Sequence, residues 1–241
     1  MVLSHEQKTI RRDHRRPGGI FCAALRAGHP AGHGGDRVEQ MKITLVRHGQ
    51  TEGNKVHRFI GGGTDEPVSR EGLEALQNRT YPQPEHIFSS PMLRCVQTAQ
   101  TIFRGRTPEV VEGFRECDFG ILEGKTHEEL LGDPAYDAFI GRSGADTFPG
   151  GESIPGFNAR CLEALRETVE TSRKRGYGSI ACCVHGGVIM AVLSQVIEGS
   201  SYYGWNVENG EGYILEIDEN KWKDGQLDGT VTGGIDHRIY S

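Results

Sequence analysis

An α/β fold in three layers, a mostly parallel sheet covered by helices on both faces, is the class this chain of 241 residues predicts. Two continuous apolar runs, Ile43 to Val46 and Ile180 to Val184, have the character of strands buried on both faces. From Met41 onward strand and helix signals alternate, as they do where parallel strands are joined by helical crossovers. No internal repeat is visible, and the length suffices for one sizeable core.

Residues 1–40 differ in character from the rest of the chain. They carry Lys8, Arg11, Arg12, Arg15, Arg16, Arg26 and Arg37 against Glu6, Asp13, Asp36 and Glu39, a net of +3 that leaves −9 for the remainder. Only Ile20 to Leu25 is an apolar run there, whereas Met41 begins Met-Lys-Ile-Thr-Leu-Val, a natural first strand. Residues 1–40 are therefore expected to be a disordered extension or the product of a start codon placed too early, ahead of a domain at 41–241. A targeting peptide is the alternative, weakened by the acids that interrupt its basic run.

Within the domain each element has a local cause. Ser69 can cap a helix through about Arg79, and Ile87-Phe88-Ser89 is a short strand. Ser90-Pro91 offers a cap and a first-turn proline to a helix running to about Phe103. Thr126-His127-Glu128-Glu129 is a capping box, and Asp133-Pro134 starts another short helix. The longest helix is expected from about Ile154 to Arg175, with Phe157, Cys161, Leu162, Leu165 and Val169 on one face and Gly176 ending it. Ile180 to Val184 leads into an apolar helix from Gly187 to Ile197. Gly212 to Ile217 reads as a strand, with Asp224-Gly225 as a turn before a hairpin.

Net charge is −6, so nothing in the balance favours nucleic acid or an anionic membrane, and any positive charge needed for phosphate must be concentrated locally. Residues 176–197 lack Asp, Glu, Lys and Arg, yet Tyr177, Ser179, His185, Gly186, Gly187, Ser194 and Gln195 interrupt the segment. It fits strand, turn and buried helix better than a membrane span. The six cysteines form no CxxC pair and no ligand spacing with histidines, which predicts reduced thiols in a cytoplasmic protein and no metal.

Two histidines stand where a buried strand opens into glycine: Arg47-His48-Gly49 and His185-Gly186-Gly187. Either alone is more often a polar plug than a catalyst. Company changes that weighting. Thr51, Gly53-Asn54 and Arg58 follow His48, and Ser89-Ser90-Pro91 with Arg94 places a guanidinium in the first turn of a helix, where both charge and helix dipole favour an anion. Glu116 lies between the two histidines. Other phosphate-handling classes lack their marks: no cysteine has an arginine six positions later, no GxxxxGK[ST] or GxGxxG loop is present, and His127-Glu128 has no second histidine at metalloprotease spacing.

With these pieces in order, the chain resembles the histidine phosphatase superfamily, the phosphoglycerate mutase-like fold. The resemblance rests on Arg47 to Asn54, Ser89-Ser90-Pro91 with Arg94, Glu116 to Gly124, Gly150-Gly151-Glu152-Ser153 and His185-Gly186-Gly187, and covers residues 41–217. It implies that His48 attacks phosphorus, that Arg47, Arg94 and His185 hold the non-bridging oxygens, and that Glu116 protonates the leaving oxygen. Asn54 would add a hydrogen bond, with Thr51, Arg58, Gly61 and Gly186 as further candidate substrate contacts. Arg58 has a solvated loop position as its rival assignment, and Glu123 and Asp118 are the other carboxylates near Glu116. The compact stretch between Glu116 and His185 resembles the phosphatase branch, including α-ribazole phosphatases, rather than the mutases. The expected partner is a small phosphomonoester, with no cofactor, nucleic acid or membrane. A mutase and a phosphate-ester-binding module without turnover are the alternatives. The loop Gly61 to Glu66 is expected to be mobile.

Overall fold

A computed structural model describes residues 40–141, 147–218, 221–222 and 228–235, all within the unit Val38–Ser241. The turn expected at Asp224-Gly225 and the extension at residues 1–39 lie outside them.

Six strands form one sheet: β1 (Gln40–Arg47), β2 (His86–Ser89), β3 (Glu109–Val110), β4 (Ser179–Val184), β5 (Gly212–Asp218) and β6 (Gly229–Ile235), in the order β3-β2-β4-β1-β5-β6. The pairings β1 with β4, β4 with β2 and β2 with β3 are parallel. β5 runs antiparallel to β1, and β6 to β5, so the sheet is mixed with its parallel part at one side.

The apolar runs are buried on both faces because each face meets helices. Ile180, Cys182 and Val184 of β4 pack with Phe157, Leu165 and Val169 of α6 (Ile154–Lys174) and with Val188 and Val192 of α7 (Gly186–Val196). The intervening Ala181 and Cys183 pack on the opposite face with Leu76 of α2 (Arg70–Gln77) and Ala99 of α3 (Leu93–Ile102). Period-2 alternation thus divides β4 between two cores. Cys95, Cys117, Cys161, Cys182 and Cys183 are buried free thiols. No helix among the described residues is long and apolar enough to cross a membrane.

Most helix starts follow their capping residues. Ser69 accepts from Gly72 N–H, Ser153 from Gly156 N–H, and Thr126 and Glu129 form the reciprocal box that starts a one-turn helix, His127–Leu130. One start needs correction. Helix α3 begins at Leu93, with Met92 rather than Ser90 as its N-cap and no side-chain cap bond. The Ser90 hydroxyl is engaged elsewhere, by His185.

Candidate active site

The parallel strands β1 and β4 end side by side, with Arg47 in register with Val184, so the residues that follow each strand meet. His48 and His185 stand with ring centroids 5.2 Å apart, edge to face. Both rings are buried. The His48 Nδ1 lies 2.8 Å from the Gly49 carbonyl, which can only accept, so Nδ1 carries the proton. Burial, reinforced by Arg94 and then Arg47, holds this imidazole well below its ordinary range. A neutral ring with Nδ1–H keeps its lone pair on Nε2, which is the form a nucleophile requires. Gly49 N–H donates to Thr98 on α3 and Asn209 Nδ2 donates to the His48 carbonyl, fixing the backbone on either side.

His185 is the N-cap of α7 and shares a 2.7 Å hydrogen bond between Nε2 and Ser90 Oγ. Burial, then Arg94 and the neighbouring His48, keep it well below the usual histidine range as well. Arg94, fully buried in the first turn of α3, donates to the carbonyls of Thr64 at 2.8 Å and Gly61 at 3.1 Å. Arg47 donates to the Val207 carbonyl. The Nε atoms of Arg47 and Arg94 are buried with no hydrogen-bond partner. Two guanidinium groups beside two neutral imidazoles concentrate positive charge, the electrostatic condition for binding an oxyanion.

Glu116 follows a single 3₁₀ turn, Glu112–Phe114, whose Phe114 is buried in the core. Its Oε1 accepts from Cys117 N–H at 3.0 Å and its Oε2 from Gly187 N–H in the first turn of α7 at 3.2 Å. Burial raises its pKa, opposed by those two N–H groups and by Arg94 and Arg47. A Cβ at position 187 would sit 2.4 Å from Glu116 Oε1, so any side chain there would push the Glu116 carboxyl from this position.

The other candidates divide. Asn54 Oδ1 accepts from Thr51 N–H and from Asn209 Nδ2, both at 3.2 Å, which leaves its NH₂ as the free donating end. Thr51 is fully buried and caps α1 (Glu52–Lys55), with its hydroxyl accepting from Asn54 N–H. Arg58 is held by both oxygens of Glu129 and by the Gly124 carbonyl. Gly61 contributes its carbonyl to Arg94, and Gly186 is the first residue of α7, against the Arg47 guanidinium.

The loop from Gly61 to Glu66, expected to be mobile, is instead tied down. Glu123 accepts from Gly61 N–H, Gly63 N–H, Phe119 N–H and the Thr64 hydroxyl, which makes it a structural hub. Asp65 accepts from Leu93 N–H and Glu66 from Gly53 N–H. Gly62 N–H donates to the Cys117 carbonyl. The acids of the loop serve the fold, and their partners lie too far along the chain for a local sequence window to show them.

Three contributors escape the sequence reading as site residues: Ser90 as the partner of His185, Asn209 bridging His48 and Asn54, and Arg160. The Arg160 guanidinium pairs with both Glu152 oxygens and donates to the Gly113 and Arg115 carbonyls, holding the segment that presents Glu116. The Gly-Gly-Glu-Ser piece containing Glu152 is the available signal, since a half-buried carboxylate there is best served by a basic partner.

On the Glu116 side lies a cavity of about 840 Å³, with Glu116 and Gly187 among its lining residues.

The family model of the histidine phosphatase superfamily, branch 1, matches residues 43–226. A metal-independent phosphoserine phosphatase of Arabidopsis thaliana is 29% identical over 195 residues, which are 76% of this chain and 79% of that protein. A 2,3-bisphosphoglycerate-dependent phosphoglycerate mutase of Rhizobium etli is 32% identical over 65% of this chain and 79% of its own length. Among solved structures, the α-ribazole phosphatase of Shigella flexneri superposes with a TM-score of 0.68 at 22% identity, covering 81% of this chain and 96% of its own. That likeness carries the fold alone. A phosphoglycerate mutase of Thermus thermophilus gives 0.59 at 29% identity over 81% of this chain and 99% of its own. With a match through both strand-end histidines and the acid between them, the chain belongs to the histidine phosphatase superfamily, branch 1, whose relatives here are phosphatases and mutases.

Proposed function

We propose that the protein hydrolyses small phosphomonoesters through a phosphohistidine on His48. The observation that carries this is the pairing of a neutral nucleophile, its Nδ1 proton held by Gly49, with a buried carboxyl whose pKa is raised. In the first displacement His48 Nε2 bonds to phosphorus as the ester P–O bond breaks, and the departing oxygen takes the Glu116 proton. In the second, Glu116 as carboxylate accepts a proton from water, whose oxygen attacks phosphorus and frees His48. Arg47 and Arg94 stabilise the charge on the transferring group, and Asn54 donates its NH₂. An arriving phosphoryl dianion favours the protonated form of His185, which turns that ring into a cationic donor.

α-Ribazole phosphate is the first substrate we would try. The cytoplasm suits a protein whose five described cysteines are all free thiols. Incubation with a ³²P-labelled phosphomonoester followed by quenching should give an acid-labile, base-stable label. The label should vanish in His48→Ala. Label surviving that substitution overturns the nucleophile, phosphoryl transfer between two phosphoglycerate positions without release to water makes the protein a mutase, and tight ester binding without turnover makes it a binding module.

A further inference from the structure

We propose that the alcohol half of the substrate is bulky, uncharged and largely apolar, seated in an aromatic pocket beside Glu116; this rests on the hydrolase reading above. The argument starts from the acid. A group that protonates a leaving oxygen must stand within hydrogen-bond reach of it, so the carbon skeleton on that oxygen occupies the space next to Glu116. That space is the 840 Å³ cavity lined by Glu116 and Gly187, a volume in the range that holds small organic ligands.

Its walls are aromatic. Phe59, Phe119, Phe148 and Phe139 form a connected row, with centroid separations of 6.2, 4.8 and 5.0 Å between successive rings. Met190 of α7 and Tyr202 face the cavity as well. Three of the four phenylalanines, Phe59, Phe119 and Phe148, pack against the core on one side yet remain only partly buried, so each keeps some ring surface accessible. At the rim, Ile140 is 51% and Tyr203 78% exposed, large apolar surface that a bound alcohol would cover.

Charge points the same way. No Lys, Arg or His lines the cavity among the described residues. The nearby guanidinium groups are committed, Arg58 to Glu129 and Arg160 to Glu152. A carboxylate or second phosphate on the alcohol would therefore lose its hydration against aromatic faces with no counterion among the described residues. The pocket discriminates against phosphoglycerates and sugar bisphosphates and favours an aryl-bearing alcohol.

The test compares primary alkyl esters, so that the chemistry of the leaving oxygen stays closely matched: 3-phenylpropyl phosphate, propyl phosphate and 3-phosphoglycerate. Expected is a kcat/KM for the phenylpropyl ester about 10–100-fold above each of the others, the span that burying one phenyl group supports. Ile140→Lys, at an exposed position on the short helix Pro134–Gly141, should lower the phenylpropyl to phosphoglycerate ratio at least about tenfold without endangering the fold, and Phe148→Lys should do the same from within the aromatic row. Equal turnover of the three esters, or a ratio unmoved by both substitutions, overturns the pocket assignment while leaving hydrolysis intact. Failure to turn over any ester, including p-nitrophenyl phosphate, overturns hydrolysis itself and the pocket assignment with it.

Discussion

The two ends of the site are built on opposite principles. Around His48 directional bonds fix the side chains, with the buried Arg47 and Arg94 Nε atoms left unpartnered: Ser90 holds His185, Thr64 and Gly61 hold Arg94, and Gly187 holds Glu116. Around the phenylalanine row almost nothing is directional, and the walls are rings in edge or tilted contact. The polar end tolerates no displacement because catalysis depends on sub-ångström placement. The aromatic end sets preference through shape and the exclusion of charge, and shape tolerates change. Substitutions at the first end should thus destroy turnover, and those at the second should redirect it.

The largest effect tests that contrast most directly. Glu116→Gln should lower kcat/KM, which reports the steps up to release of the alcohol, by about 10²–10⁴-fold on alkyl phosphates, yet by less than about tenfold on p-nitrophenyl phosphate, whose leaving oxygen needs no proton. Stopped assays on both esters check it, and equal losses would remove Glu116 as the acid. Arg94→Ala should cost about 10²–10³ in kcat for every ester alike, because the guanidinium addresses the phosphoryl group and not the alcohol. A loss that varied with the alcohol would blur the boundary between the two ends. Gly187→Ala lies on that boundary: the new methyl collides with Glu116 Oε1, so alkyl esters should lose at least about tenfold while His48 labelling persists.

The pH profile sharpens the same division. His48 is held below its ordinary 6.5, so its neutral form persists as pH falls through 6.5 and no activity is lost there. Glu116 is raised above 4.5, and its acid form is lost as pH rises through that elevated value. For alkyl esters kcat/KM should fall on the alkaline side, and Glu116→Gln should abolish that limb. A smaller, purely structural effect is expected at Glu123→Ala, where four donors lose their acceptor. Denaturant unfolding should show a loss of about 2–3 kcal/mol, and the Gly61–Thr64 loop should gain hydrogen exchange.

The polar end is readable in the sequence because its residues cluster at strand ends and helix starts, where local pattern and chemistry coincide. Arg47-His48-Gly49 and His185-Gly186-Gly187 both follow apolar runs that are β1 and β4, and the caps at Ser69, Thr126 and Ser153 are visible from their types alone. Ser90 misleads for an instructive reason. A serine before a proline looks like a cap, but its hydroxyl serves a histidine that follows a strand far along the chain. The antiparallel entry of β5 beside β1 also escapes, since a lone apolar strand carries no mark of direction. The aromatic row is unreadable because Phe59, Phe119, Phe139 and Phe148 come from separate loops and a short helix, with no periodicity relating them.

The position of β1 has a consequence for the order of events during synthesis. Its two sheet neighbours, β4 and β5, both come from the last third of the chain. A nascent chain that has emerged from the ribosome as far as Gly150 possesses His48, Arg94 and Glu116 but neither strand that flanks Arg47. His48 therefore cannot be held in place until β4 and β5, residues 179–218, have been made. Closing so long a loop predicts slow folding relative to a helical protein of this size. Until then Ile43 to Val46 is an apolar segment without the two strands that cover its edges, the kind of exposed surface that makes a newborn chain prone to aggregate.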